Sequence, residues 1–243
     1  MTYLGLVSVV LAFAAVVGGA TGFGAALSAI PFLLLLGMPI ADIVTVNLAV
    51  SIVTRLVIAV RFRDEVVRWR VFLLCLASLP GGWIGAEVIG FLPLSATKIL
   101  AGVTIVTLAL LLAFGGSGEW SPPPRTSVTT VGLVAGFLGT TTSLNGALPA
   151  ILLTHERTPA RTMIADLAVF LLVSNVASLV ILAARGEIAT GVFWPELPLW
   201  CVAALAGNAL GNWIGPRLPA VVFRRIVLGV IITGGLVTIA TAF

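Results

Sequence analysis

Two polar stretches interrupt otherwise apolar sequence and carry the groups best suited to hold an anion. The first is Gly18-Gly19-Ala20-Thr21-Gly22-Phe23-Gly24, and the second is Gly139-Thr140-Thr141-Thr142-Ser143-Leu144-Asn145-Gly146. Irregular backbone at membrane depth leaves amides unpaired. That is tolerated only where they are buried in protein or line a wet cavity. A helix starting after each break aims its unpaired N–H groups and positive dipole end at the turn. Glycine lets an anion approach such a backbone closely, and hydroxyl and amide side chains add donors. The expected binding groups are Thr21, Gly22 and Gly24 in the first break. In the second they are Thr140, Thr141, Thr142, Ser143 and Asn145. The plainer reading is that small residues let helices pack closely. The two readings balance at Gly18-Gly19. The run of four hydroxyl residues favours the site, because polar groups are costly to bury in lipid.

Three more polar residues share one helix face. Asn47, Ser51 and Arg55 follow at i, i+4 and i+8 in an apolar run over residues 41–60. An arginine inside a membrane costs at least ~2.5 kcal/mol on the mildest scale and so needs a reason to be there. The reason is either a cavity facing the stripe or a side chain that reaches back to the headgroups. Asp166 matches Asn47 in an echo described below and is the candidate proton carrier. An acid near a helix start also complements the dipole, which is the simpler account. Asn175, Asn208 and Asn212 read as interhelical hydrogen-bond partners. His155-Glu156-Arg157 reads as a surface loop.

The elements that position these residues follow from composition. The chain has 243 residues, 60% hydrophobic and 9% charged. Soluble domains carry roughly 25% charged residues, so this chain cannot cover a soluble surface. Apolar runs near ~18 residues recur, as at 71–89, 164–184 and 226–243, and each is a candidate spanning helix. They lack the period of two that barrel strands require. The expected fold is an all-α polytopic membrane protein with the lipid bilayer as its solvent. The start lacks a positive n-region, so a cleaved signal peptide is not expected. Cys75 and Cys201 lie in apolar runs and read as packing residues. One histidine and two cysteines cannot build a metal cage, and no nucleophile–base pair is evident. No metal, cofactor or catalytic residue is expected. The net charge of +4 sits in short loops, which makes it an orientation signal and not a nucleic-acid surface.

Residues 115–126 are rich in glycine and proline and read as a linker between two halves. Half one, 1–114, is expected to hold a broken hairpin (4–36) and helices over 41–60, 71–90 and 99–114. Half two, 127–243, is expected to hold a hairpin (127–154) and helices over 164–184, 197–214 and 226–243. The halves echo one another in order: Pro31 with Pro149, Asn47-Leu48-Ala49-Val50 with Asp166-Leu167-Ala168-Val169, and Trp83-Ile84-Gly85 with Trp213-Ile214-Gly215. If each hairpin enters and leaves on one side, ten arginines face one compartment: 61, 63, 68, 70, 125, 157, 161, 217, 224 and 225. Lys98 and Arg185 face the other. If the second broken segment crosses once, the split becomes even. The positive-inside rule selects the first arrangement. Three crossings per half then invert half two relative to half one, a recurring transporter architecture. Two short tilted spans in place of each hairpin would leave the loops on the same sides.

The glycine-rich first break, the Asn47-Leu48 helix ending in arginines, the Pro80-Gly81-Gly82-Trp83-Ile84-Gly85 stretch and its Trp213-Ile214-Gly215 echo together resemble the sulfite exporter TauE/SafE family over nearly the whole chain. Gly22-Phe23-Gly24 stands where members often have consecutive glycines, and the threonine-rich second break is a further departure. The resemblance implies a multi-pass transporter of a bacterial inner membrane, with sulfite or an organosulfonate as substrate. The expected activity is export of a small anion. An inside-negative potential suffices to drive it, since a monoanion gains ~2.3 kcal/mol per 100 mV on leaving. The rival readings are an anion channel with the same site and a proton-coupled importer of a sulfur-containing or carboxylate anion. An intramembrane enzyme lacks the required groups, and a purely structural subunit would not need polar breaks. A homodimer stays open.

Overall fold

The computed structural model describes residues 3–114, 124–188 and 190–217. In the last segment it describes 229, 232–233, 235–236 and 238. Residues 115–123 of the expected linker (115–126), Arg224, Arg225 and most of the expected helix 226–243 lie outside the described residues. The described chain folds into nine α-helices and no strand: α1 (Tyr3–Thr21), α2 (Ala25–Leu35), α3 (Ile40–Arg61), α4 (Arg68–Phe91), α5 (Leu94–Phe114), α6 (Pro124–Thr142), α7 (Ala147–His155), α8 (Ala160–Ala184) and α9 (Glu196–Ile214). Of these, α1, α3, α4, α8 and α9 are long and apolar enough to cross a membrane. Their outer faces are apolar too. Phe72, Leu76, Leu79 and Trp83 are exposed along α4, spaced as one helix face that only lipid can cover favourably. The chain is an all-helical polytopic membrane protein.

Small residues decide which helices meet. A Cβ built on Gly132 or Gly136 of α6 would overlap the backbone of Leu74 or Ser78 on α4, and one on Gly81 would overlap Leu133. On the other side of the bundle Gly207, Gly211 and Gly215 lie in the same way against Ala12, Val16 and Ala20 of α1. Glycine therefore brings backbones together where hydrophobic burial offers no drive, as lipid tails are no less apolar than leucine. Both pairs run parallel. We expect Gly136→Ala and Gly211→Ala each to destabilise the protein by about 1–3 kcal/mol through overpacking, lowering the Tm of the purified protein in detergent. Gly5, whose added Cβ would meet nothing within 4 Å, is the control. Gly5→Ala should leave Tm unchanged or raise it slightly.

The remaining contacts set the directions of the other helices. Ion pairs join α4 to α8 at both ends, Arg70 with Asp166 and Glu87 with Arg185, so these two helices are also parallel. Conversely α3 runs against α8. Ile58 and Ala59 near its end meet Ala168 near the start of α8, while Ile40, Ala41 and Val44 share a cavity with Leu182. Helix α2 folds back along α1, Phe32 against Phe13, and α3 runs from its far end to bring Arg55 to Gly18, so α1, α3 and α9 point one way and α4, α6 and α8 the other. One end of the bundle collects Arg61, Arg63, Arg68, Arg70, Arg125, Arg157, Arg161 and Arg217. Lys98 and Arg185 are at the opposite end.

The two breaks are shorter than the glycine and threonine runs imply. Helix α1 continues through Gly18 to Thr21, and only Gly22-Phe23-Gly24 is irregular. Helix α6 continues through Gly139 to Thr142, and the break is Ser143 to Gly146. The first arm of the second hairpin is therefore 19 residues long. Only the returning arms are short. Helices α2 and α7 have 11 and 9 residues, about 16 and 14 Å. Each break contains one left-handed residue, Gly22 at φ 88° and Ser143 at φ 58°.

The turns that follow α2 and α7 are closely alike. Gly37 N–H donates to Leu34 and Met38 N–H to Leu33, and Arg157 and Thr158 donate in the same pattern to Thr154 and Leu153. Gly37 and Arg157 both have positive φ, as helix-ending turns of this kind require. Pro39 and Pro159 then start α3 and α8. This register aligns Asn47 with Leu167 and Arg55 with Asn175. It shifts by one residue the echo that paired Asn47 with Asp166.

Candidate functional site

A cavity of about 40 Å³ lies between the two breaks, and its lining residues come from α1, α2, α3, α7, α8, α9 and both breaks. On the measure by which one water needs ~10–15 Å³, it holds about three waters or a few heavy atoms. Asn47, Ser51, Thr54 and Arg55 of α3 line it together with Asn175 and Asn208. The stripe expected on α3 does face a cavity.

Arg55 is the unusual member. It is 3% exposed. Its Nη2 reaches the Gly18 carbonyl oxygen at 3.5 Å, a weak contact, and its buried Nε has no partner. Among the described residues no carboxylate forms an ion pair with it. An uncompensated buried cation costs several kcal/mol even after relaxation, and snorkelling does not relieve that here because the side chain is enclosed.

Two helices begin at the same cavity. Ala25, Ala26 and Leu27 at the start of α2 line it, as do Gly146 and Ala147 at the start of α7. Neither helix has a side-chain cap at its N-terminus. Their first N–H groups and both positive dipole ends therefore add to the charge of Arg55. The breaks themselves touch: a Cβ on Gly146 would lie 3.3 Å from the Cβ of Phe23.

The other sequence-expected residues divide into two groups. Ser143 and Asn145 line the cavity. The Asn47 amide donates to Ser143 Oγ at 3.4 Å, and the Asn145 amide donates to Ser174 Oγ at 3.1 Å and Asn175 Oδ1 at 2.7 Å. Asn145 therefore spends its donors on α8 and positions the break. Thr140, Thr141 and Thr142 are not in the cavity lining, and their hydroxyls donate to backbone carbonyls. Thr140 donates to Gly82 at 2.9 Å, Thr141 to Phe137 at 2.8 Å and Thr142 to Leu138 at 3.0 Å. Thr141 and Thr142 bond back within α6 and stay helical without an outside partner, while Thr140 reaches across to α4. In the first break, the Thr21 hydroxyl donates to Val17 O at 2.8 Å and accepts from Gly24 N–H at 3.0 Å. Thr21, Gly22 and Gly24 shape the turn and do not line the cavity.

Asp166 lies elsewhere. It is 0% exposed and faces α4, where its carboxylate accepts from Arg70 Nε at 2.9 Å and Val67 N–H at 2.8 Å. Arg70 also bonds Glu156 at 2.7 Å and Thr158 at 3.2 Å. These contacts fasten the α3–α4 turn to the α7–α8 turn. The cavity residues that sequence reasoning missed are Thr54, Asn175 and Asn208. The two asparagines were visible as polar groups in apolar runs, but nothing in the order of residues says which neighbour they face.

Comparison with known proteins is consistent along the chain. The family described as sulfite exporter TauE/SafE matches residues 7–238. A protein of Sinorhizobium fredii (strain NBRC 101917 / NGR234), named "Probable membrane transporter protein y4hK", is 29% identical over 237 residues, which is 92% of this chain and 91% of that protein. No solved structure matches.

Proposed function

The chain belongs to the TauE/SafE family and is a multi-pass transporter of the bacterial inner membrane; from that premise we propose that it exports a small oxyanion such as sulfite through the cavity at Arg55. The observation that carries the reading is a buried guanidinium with no counter-ion among the described residues beside two uncapped helix N-termini. An oxyanion supplies the missing negative charge and accepts from Arg55, from backbone N–H groups and from the amides of Asn175 and Asn208. Asn47, Ser51, Ser143 and Asn145 complete the polar wall. Thr21, Gly22, Gly24 and Thr140 to Thr142 act by holding the breaks in shape. The small cavity volume favours sulfite over a longer organosulfonate.

The architecture we infer is a pair of inverted halves, 1–114 and 127–243, joined by the linker over 115–126, whose end from Pro124 already belongs to α6. The opposed helix directions, the two glycine-packed pairs α1 with α9 and α6 with α4, and the matching turns at Gly37 and Arg157 support it. The short returning helices support re-entrant hairpins that bring both N-termini to the midplane. The arginine-rich end is cytoplasmic by the positive-inside rule. Outward movement of a monoanion then runs down the membrane potential and needs no coupling ion.

The test is calorimetric titration of the purified transporter with sulfite, sulfate, nitrate, acetate and sulfoacetate. We expect saturable binding of sulfite and weaker binding of sulfoacetate. Asn208→Leu should weaken sulfite binding about ten- to a hundredfold, the range for one hydrogen bond to a charged group. A transporter that binds none of these anions, or binds sulfite with undiminished affinity after Asn208→Leu, would count against this site.

A further inference from the structure

A second cavity, of about 220 Å³, lies further along α3. Its walls include Ile40, Ala41 and Val44 of α3, with Thr140 and Thr141 of α6 and Glu187 beyond α8. The anion cavity begins on the same helix at Asn47 and Leu48, and on the same break at Ser143 and Leu144. Helix α3 thus passes from one cavity to the next, and the end of α6 does the same. Between them stand Val44 to Asn47 on one side and Thr141 to Leu144 on the other. They are joined by the hydrogen bond from Asn47 Nδ2 to Ser143 Oγ. At 3.4 Å it is long and weak for a buried bond.

We propose that the larger cavity is the exit vestibule for the anion, and that the Asn47–Ser143 contact is the gate between it and the binding cavity. The identity of the anion rests on the reading above, but the gate does not. Three observations carry the inference. The vestibule lies at the end of the bundle opposite the arginine-rich turns, beside the Arg185–Glu87 pair and Leu92. Among the described residues its lining contains one carboxylate and no basic side chain, so an anion entering it is weakly held, as release requires. Ser143 occupies a left-handed conformation that L-residues adopt at a cost and glycine adopts readily. The matching residue of the first break is Gly22. Serine at this position gives up backbone ease and in return places a hydroxyl opposite Asn47.

The gate is tested by thiol labelling in intact cells, in a Cys75→Ser, Cys201→Ser background, with a membrane-impermeant anionic methanethiosulfonate added outside. Ala41→Cys and Leu92→Cys, at an exposed and a half-buried residue of its wall, report on the vestibule, and Ser51→Cys on the binding cavity. We expect Ala41→Cys and Leu92→Cys to label readily and Ser51→Cys slowly. Adding Asn47→Ala or Ser143→Ala should speed labelling of Ser51→Cys about two- to tenfold, the range one hydrogen bond supports. The two gate variants remove the same bond, so a folding failure of one leaves the other as the test. Vestibule cysteines protected from outside overturn the proposal, as does Ser51→Cys labelling at one rate with and without the gate bond. Labelling needs no substrate. A failed gate is therefore distinguishable from a failed anion assignment, which is read by sulfite titration.

Discussion

Arg55→Gln should abolish saturable sulfite binding and sulfite efflux from proteoliposomes, yet yield a protein at least as thermostable as the original. The two halves of this expectation have one cause. Arg55 is enclosed, its Nε has no partner, and its single hydrogen bond to Gly18 is long. Without an anion the charge is a burden on the fold, and neutral glutamine removes it. With an anion bound, the same charge contributes a hydrogen bond of about 1.5–3 kcal/mol, together with the direct attraction of opposite charges in a site that excludes most water. Affinity should fall by at least ten- to a hundredfold. Arg55→Lys keeps the charge but loses the planar fork, so it should retain part of the affinity if the anion is held mainly by charge, and little if it is held by paired N–H groups. Added sulfite should raise the Tm of the original protein and leave that of Arg55→Gln unmoved. A variant that binds sulfite normally, or that loses several degrees of Tm without anion, would mean that Arg55 serves packing and the anion sits elsewhere.

The parts of this molecule legible in sequence are those governed by average hydropathy. Long apolar runs report spans because the bilayer imposes one length on every helix that crosses it. The α3 stripe was legible because Asn47, Ser51 and Arg55 are local to one helix, and helical periodicity fixes their common face. The edges of the breaks were not legible. Glycine and threonine both weaken a helix in water, but Thr140, Thr141 and Thr142 each find a carbonyl acceptor and remain helical. Glycines such as Gly136 and Gly19 serve close approach to α4 and α9 instead of a turn. Their role depends on a neighbouring helix that the sequence does not name. The same limit applies to Asn175 and Asn208. Asp166 illustrates a different limit. Its echo with Asn47 is real as a string of letters, but the matching turns at Pro39 and Pro159 shift the register by one residue. One residue is ~100° around a helix, enough to turn a side chain from the cavity to the opposite neighbour.

That rotation leads to the second large effect. Asp166→Asn should destabilise the transporter by about 3–5 kcal/mol, the usual cost of removing one partner from a buried ion pair. In wild type the carboxylate receives Arg70 Nε and Val67 N–H, and Arg70 extends to Glu156 and Thr158. Asparagine can still accept from Val67, but it leaves Arg70 in a buried position with only the partly exposed Glu156 as counter-charge. The α3–α4 and α7–α8 turns then lose their main tie. Arg70→Met should be similarly damaging, since it strands Asp166. The double variant Asp166→Leu, Arg70→Met removes both charges and should recover much of the loss, because apolar replacements of a whole buried pair are often neutral or better. Tm and denaturant midpoints of wild type, Asp166→Leu, Arg70→Met and the double variant form a double-mutant cycle, and strong non-additivity is the expected result. The cycle also separates the two roles that an acid in a transporter can have. If Asp166 carried a coupling proton, Asp166→Asn would fold normally, export would lose its response to a pH gradient, and Arg70→Met would not reproduce the defect. If Asp166 is a clamp, stability falls in both single variants, and any active protein that survives transports with unaltered pH-gradient dependence. The geometry favours the clamp. Both Asp166 oxygens are engaged by α4 and the residue preceding it, and the carboxylate is not part of the lining of the anion cavity.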